Sequence, residues 1–110
     1  MVPPVVQSDE RRKHDRVPIA IAVQYKDHQE TVVVQSRDLS PGGLFLGTTT
    51  PAPPGTELAL TLRLPDEHGH IQARGHVVHC LQGIGMGVEF SDFPGDSEAR
   101  LRDYLASVRG

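Results

Sequence analysis

The sequence predicts an all-β fold with a C-terminal helix, arranged as a six-stranded antiparallel β-barrel with the helix covering one opening or face. The leucines of segment 58–64 alternate with more polar residues, which is the period of a half-buried strand. Short segments of this kind follow one another with turn residues and no helical period between them. Closure into a barrel would remove their exposed edges. Near the C-terminus the apolar spacing becomes helical.

The elements can be justified in chain order. Every second residue of segment 17–25 is apolar, and a polar turn separates it from the β-branched segment 31–36, so the two should pair as a hairpin. The other predicted strands cover 44–46, 58–64, 71–77 and 86–90, and three prolines make 48–55 a loop. A helix over 96–109, capped by Asp96 or Ser97, has four apolar residues at i, i+3, i+4 and i+7. They are Leu101, Tyr104, Leu105 and Val108.

Composition limits the classes of protein to which the chain can belong. At 110 residues it is long enough for one domain, and it lacks the run of about 18 apolar residues that a membrane helix needs. The N-terminus has no signal-peptide pattern and there is one cysteine, so we expect a cytoplasmic protein without membrane insertion. The formal net charge of −3 argues against a nucleic acid polymer as partner.

Cations are concentrated near the N-terminus. Arg11, Arg12, Lys13 and Arg16, called here the basic segment, are four of the eleven Lys and Arg residues. Guanidinium groups can grip a phosphate or bind O6 and N7 of a guanine. We therefore expect residues 1–16 to form a flexible arm with a ligand-binding segment, followed by a globular domain over 17–110. A solvated tail is the alternative interpretation of such a run.

A second polar cluster spans 38–43 and is expected to be a turn at the rim of the barrel. The carboxylate of Asp38 can accept hydrogen bonds from the N1 and N2 edge of a guanine, and the Ser40 hydroxyl can donate or accept. Gly42 and Gly43 permit positive φ and close approach of a ligand to the backbone. The same composition is common in ordinary turns, which is the alternative interpretation. The occurrence of this cluster together with the basic segment supports a binding role.

The ordered pair Arg12-x-x-x-Arg16 and Asp38-x-Ser40-x-x-Gly43 resembles the two signature motifs of PilZ domains, bacterial receptors for the second messenger cyclic di-GMP. The resemblance covers about residues 10–108. It implies a six-stranded barrel with a C-terminal helix and a ligand bound often as an intercalated dimer. By position, Arg11, Arg12 and Arg16 would contact guanines and phosphates, with Lys13 and Gly42 as weaker candidates. Asp38 and Ser40 would hold a guanine edge, and Gly43 would allow close approach. Some relatives place an aromatic residue on the fifth strand, and His79 is the candidate here.

The leading hypothesis is a non-catalytic receptor in which cyclic di-GMP orders the arm and changes contacts with a downstream protein. The alternative is an adaptor of the same fold that binds a protein regardless of nucleotide. An enzyme is disfavoured because paired carboxylates with a metal-binding spacing are missing from the sequence. The six histidines do not form a zinc-binding pattern, so we expect neither metal nor cofactor. A monomer or weak dimer is expected.

Overall fold

The computed structural model describes residues 17–26, 30–65 and 69–109, which form six strands and one helix. The strands are β1 (Ala22–Lys26), β2 (Thr31–Ser40), β3 (Gly43–Gly47), β4 (Glu57–Arg63), β5 (His70–Leu81) and β6 (Gly85–Asp92), and the helix is α1 (Ser97–Arg109). The strands close in the order β1-β2-β3-β6-β5-β4, with every neighbouring pair antiparallel. The predicted barrel and C-terminal helix are confirmed.

The core follows the alternation that the sequence predicts. Leu58, Leu60 and Leu62 point inward from β4 and are at most 3% exposed, while the residues between them face outward or are only half-buried. The helix contributes Leu101, Tyr104 and Leu105 to the same core. Burial of this apolar surface is the main favourable term in folding.

The helix begins where the sequence predicts and packs against β5. The carbonyl of Asp96 accepts the backbone hydrogen bond of Arg100 at 3.1 Å, so helical bonding starts from the capping position. Val108 does not join the core as its spacing predicts, because it is 45% exposed in the last turn. Among the described residues, no helix is long and apolar enough to cross a membrane.

The first strand is shorter than the predicted 17–25, because a side chain replaces part of its ladder. The Ser36 hydroxyl accepts a hydrogen bond from the Ile21 amide at 3.1 Å and donates one to the Ile19 carbonyl at 2.7 Å. Regular pairing with β2 then starts at Ala22. Further upstream, Val17 makes an isolated bridge to Leu39.

Strand β2 is longer than predicted and contains part of the segment expected to be a turn. Asp38 and Ser40 lie on the strand, and the turn itself is reduced to Pro41 and Gly42. The pairing of β2 with β3 continues past a shift in register between Ser36 and Asp38, where Arg37 is the additional residue. Such a β-bulge interrupts the alternation of inward and outward side chains. The predicted strand ends at Ser36 because the alternation stops at the next residue.

Candidate functional site

Ser40 is buried at 1% exposure, and its hydroxyl holds the turn together. It accepts hydrogen bonds from the amides of Gly42 and Gly43, each at 3.1 Å, and donates one to the Gly43 carbonyl at 3.2 Å. A serine hydroxyl has one donor and two acceptor positions, so these three bonds use its capacity. In this structure the Ser40 hydroxyl therefore shapes the turn, and its contact with a guanine edge remains a prediction.

Gly43 is required by strand packing. A Cβ at this position would clash with the carbonyl oxygen of Val88 and would lie 3.2 Å from the Cα of Glu89, both on β6. Gly43 therefore allows the close approach of β3 to β6, and the close approach of a ligand at this position remains a prediction. Positive φ is not used at Gly42 or Gly43; the described glycines with positive φ are 55, 69, 83 and 95. Gly42 is half-buried, and its carbonyl accepts a hydrogen bond from the Phe90 amide at 2.9 Å.

Asp38 faces away from the core and is half-buried on the outer side of β2. Its Oδ1 accepts a hydrogen bond from the backbone amide of Phe45 at 3.0 Å, which fixes the carboxylate beside β3. The bulge at Arg37 explains this orientation. Ser36 and Leu39 are buried, so the two residues between them, Arg37 and Asp38, both face outward. The bulge thus brings a guanidinium and a carboxylate to one surface.

The same surface continues across four strands to His79. Asp38 on β2 is paired with Phe45 on β3, Phe45 with Gly87 on β6, and Gly87 with His79 on β5. A second register shift, between Val77 and His79, leaves Val77 buried and turns the following residues outward. Asp38 and His79, which the sequence selects from distant positions, therefore belong to one row on one face of the barrel.

Sequence reasoning missed three features of this row. The rings of Phe45 and His79 are stacked, with centroids 6.0 Å apart and an interplanar angle of 29°, and the guanidinium carbon of Arg37 lies 5.9 Å from the Phe45 centroid. Between the rings, β6 carries Gly85 and Gly87. The signal for Phe45 was available, since a phenylalanine between two inward leucines must face outward. For β6 the signal in the sequence was glycine at two alternate positions, Gly85 and Gly87, which leaves one face of the strand without side chains there.

The basic segment, Arg11, Arg12, Lys13 and Arg16, lies outside the described residues, as does the predicted boundary between arm and domain. The structure therefore places Asp38 and His79 in one row across β2, β3, β6 and β5, with Gly42 and Gly43 at the turn between β2 and β3, and it gives no position for the arginines of the basic segment. The arm and the ligand contacts of these residues remain predictions.

The described histidines and the cysteine do not indicate a second chemical site. His76 is paired with Glu89 at 3.3 Å on the outer surface, and Cys80 is a free, half-buried thiol. Within 17–26, 30–65 and 69–109, no three His, Cys, Asp or Glu residues are grouped so that they could hold a metal ion.

Comparison with known proteins connects this geometry with one family. The family model described as the PilZ domain matches residues 10–107. No curated protein matches the sequence. The fold is similar to that of the Bacillus subtilis inhibitor of motility MotI/DgrA, with a TM-score of 0.74 and 24% identity over 90% of this chain and 51% of the other. This chain thus spans about half the length of the Bacillus protein.

Two single-domain structures are also similar. The PilZ domain of Escherichia coli YcgR, solved with c-di-GMP, has a TM-score of 0.71 and 16% identity, covering 90% of this chain and 92% of that one. The PilZ domain of CeSA, from a cellulose-synthesizing bacterium, has a TM-score of 0.67 and 18% identity, with 87% and 99% covered. At these identities the similarity establishes the fold.

Proposed function

Because the chain belongs to the PilZ domain family, we propose that it is a non-catalytic receptor for cyclic di-GMP that acts without a cofactor. The ligand carries two guanines and two phosphates, and it is bound between the basic segment and the outer face of β2, β3, β6 and β5. Arg11, Arg12 and Arg16 contact guanines and phosphates, and Lys13 adds positive charge.

The observation that carries the proposal is the row that joins Asp38 to His79 across four strands. It gives an outward carboxylate, fixed by the Phe45 amide, on the same face as an exposed imidazole. A carboxylate accepts hydrogen bonds from N1 and N2 of guanine, while arginine forks match phosphates and the O6 and N7 edge. The chain thus offers complementary groups for each part of the ligand.

Within the proposal, the residues of the Asp-x-Ser-x-x-Gly motif differ in how far their positions depend on the fold. Ser40 and Gly43 are explained by the turn and by the packing of β3 on β6, whether or not a ligand is present. The recognition groups that can be tested separately from the fold are therefore Asp38 and the basic segment, while ligand contacts of Ser40 and Gly43 remain part of the proposal. These are the positions to change in a binding experiment, since substitutions at Ser40 or Gly43 would also disturb the fold.

Isothermal titration with cyclic di-GMP tests the proposal, and cyclic di-AMP serves as the ligand control because it keeps the phosphates and replaces the bases. We expect binding of cyclic di-GMP, with two ligand molecules per chain if it binds as an intercalated dimer. Asp38→Asn retains an acceptor for the Phe45 amide and removes the negative charge, so the fold should persist while affinity falls by about tenfold or more. Arg12→Ala should weaken binding similarly.

The control variant is Arg63→Ala. Arg63 lies on β4, on the opposite side of the closed barrel from β3, and its guanidinium donates to Gln24 at 3.2 Å. Its removal should leave affinity unchanged. A folded wild-type protein that does not bind cyclic di-GMP would overturn the receptor function and favour a nucleotide-independent adaptor. Binding that Asp38→Asn and Arg12→Ala leave intact would show that the ligand is bound elsewhere.

Output in this proposal passes through another protein. The ligand orders residues 1–16 against the barrel and so changes the surface that a partner contacts. A ligand can shift such an equilibrium only by binding one state more tightly, and the arginines of the arm provide that preference. We propose a role in motility or biofilm regulation, and the motility role is in keeping with the similar Bacillus protein, which is described as an inhibitor of motility.

A further inference from the structure

Strand β2 is paired on both sides over only part of its length. On one side its first five residues pair with β1. On the other side its pairing with β3 begins at Gln35, opposite Gly47. Beyond Gly47 the chain leaves β2, since the Thr48 amide donates a hydrogen bond to the Ile84 carbonyl at 3.0 Å. Residues 31–34 are therefore paired on one side and form a strand edge on the other, called here the open edge.

The backbone groups of the open edge can be assigned from one hydrogen bond. The Ser36 amide donates to the Ile21 carbonyl at 3.0 Å, so the backbone groups of Ser36 face β1. Alternate residues of an antiparallel strand direct their N–H and C=O groups to the same side. The register with β1 is regular here, so Val34 also bonds to β1, while the groups of Thr31 and Val33 face away from it. In the described part of the chain, no strand and no backbone hydrogen bond meets them there.

The open edge is apolar, uncharged and accessible. Val33 is 60% exposed, more than any other large apolar side chain in the described part of the chain. An open cleft of about 850 Å³ lies beside the edge, and its lining includes Val32, Val34 and residues 48–50. All four residues of the edge are β-branched, and none is charged or a proline. Charges and prolines commonly protect edge strands from pairing, so this edge is a template for another extended strand.

We propose that the open edge pairs with the open edge of a second copy of this chain. A second copy is favoured as occupant because the edge is complementary to itself. A twofold axis at Val32 places Thr31 opposite Val33 of the partner subunit, and Val33 opposite Thr31 of the partner subunit. Residues at such positions exchange both of their N–H···O bonds. This register satisfies the backbone groups of both edges and joins the two barrels in a sheet of order β1-β2-β2-β1.

The side chains are compatible with the same register. Val32 lies opposite Val32 of the partner subunit, and Val33 is diagonal to Val33 of the partner subunit. Cross-strand pairs of β-branched residues stabilise a sheet, whereas like charges directly opposite destabilise it, and 31–34 contains no charge. The contact is short and lies below the area of about 800 Å² per partner that a stable interface buries. The dimer is therefore weak and forms at high protein concentration.

Sedimentation velocity of the ligand-free chain tests the proposal over concentrations from about 10 µM to about 1 mM. We expect a dimer whose fraction rises with concentration. Val33→Lys places like charges at the contact and should give a monomer. Val33→Pro should do the same, because it removes an amide that faces the open edge and takes no part in the ladder with β1. Val78→Lys is the matched control and should dimerise as the wild type does, since Val78 is 45% exposed on β5, which does not neighbour β2.

Hydrogen exchange followed by NMR shows where the copies meet. The amides of Thr31 and Val33 face the open edge, so their exchange should slow by about tenfold between the lowest and the highest concentration. The Val34 amide is bonded to β1 in either state, and its exchange should not depend on concentration.

A monomer at every concentration would overturn pairing between copies and leave the open edge to a strand of another protein. A dimer that is unchanged in folded Val33→Lys and Val33→Pro, or one in which the Val33 amide exchanges as in the monomer, would also overturn it. Circular dichroism establishes that each variant is folded. If Val33→Pro unfolds, Val33→Lys decides, since it changes only an exposed side chain. No cyclic di-GMP is present, so these outcomes are separate from those of the receptor function.

Discussion

The Ser40 hydroxyl donates one hydrogen bond and accepts two within its own turn, whereas the Asp38 carboxylate, two residues earlier, reaches the outer face. The two residues differ because Ser40 lies on the inner side of β2, while the bulge at Arg37 turns Asp38 outward. The motif therefore combines a residue that stabilises the turn with one whose carboxylate lies on the outer face of the barrel. A binding role has to be assigned residue by residue.

The Ser40→Ala variant tests the structural role. The amides of Gly42 and Gly43 would lose their side-chain acceptor in a buried turn, and we expect the free energy of unfolding to fall by about 1–3 kcal/mol. Urea denaturation gives the value. Ser91→Ala is the control, since its hydroxyl makes an exposed hydrogen bond to the Arg74 carbonyl, and its effect should stay within about 0.5 kcal/mol. Equal stabilities of wild type and Ser40→Ala would contradict this role.

At the scale of elements, the pairing of β3 with β6 joins the two halves of the row from Asp38 to His79, and this pairing depends on close approach of the two backbones. Gly43 lies opposite Glu89, and Gly87 and Gly85 lie opposite Phe45 and Gly47. The absence of a Cβ has two consequences along this pair of strands. At Gly43 it allows the backbones of β3 and β6 to approach closely, and at Gly85 and Gly87 it leaves space for the rings of Phe45 and His79 on the outer face.

Gly43→Ala and Gly47→Ala form a matched pair on β3. The added methyl at position 43 meets the Val88 carbonyl and the Glu89 backbone, so β3 and β6 must separate, and we expect a loss of about 1–3 kcal/mol. At position 47 the nearest atom is Nε of Arg37 at 3.4 Å, a contact that a flexible side chain can relax, so stability should change by less than about 0.5 kcal/mol. Equal unfolding midpoints in the two variants would refute the packing argument.

Regular strands were predictable from the sequence because their side chains keep a strict period of two. The alternating leucines of β4 all proved to be buried, and the hairpin of β1 and β2 forms as expected. The bulges were not predictable, since an additional residue shifts the period and leaves no separate signal. Because of the bulges, alternation did not predict the extension of β2 through Asp38 or the row that joins Phe45 to His79. The prediction that Val108 packs in the core was wrong for another reason, because periodicity does not show where a helix extends beyond the core.

At the scale of the whole molecule, closure of the barrel gives the outer surface two distinct sides. The row that joins Asp38 to His79 lies on β2, β3, β6 and β5, and β4 is on the opposite side of the barrel from β3. Strand β5 belongs to both, since its first part pairs with β4 and its second part with β6. The helix α1 packs against this strand, which also carries His79. Any movement of β5 on ligand binding would therefore reach the helix.

Limited proteolysis tests the proposed ordering of residues 1–16. Trypsin cleaves after lysine and arginine, and the basic segment offers several such bonds. If cyclic di-GMP is held between this segment and the barrel, cleavage after Arg11, Arg12 and Lys13 should slow when the ligand is present, as followed by mass spectrometry. Asp38→Asn should show less protection at the same ligand concentration. Equal cleavage rates with and without bound ligand would contradict ordering of the arm.

The most direct test of the central claim is an amide NMR titration of the labelled chain with cyclic di-GMP. The account predicts shifts concentrated on Asp38, Phe45, Gly87 and His79, which are register partners across β2, β3, β6 and β5. Gln24, Thr61 and Gln72 form a comparable row across β1, β4 and β5 and should remain unchanged. An unaltered spectrum at high ligand concentration, or shifts confined to this second row, would contradict the account.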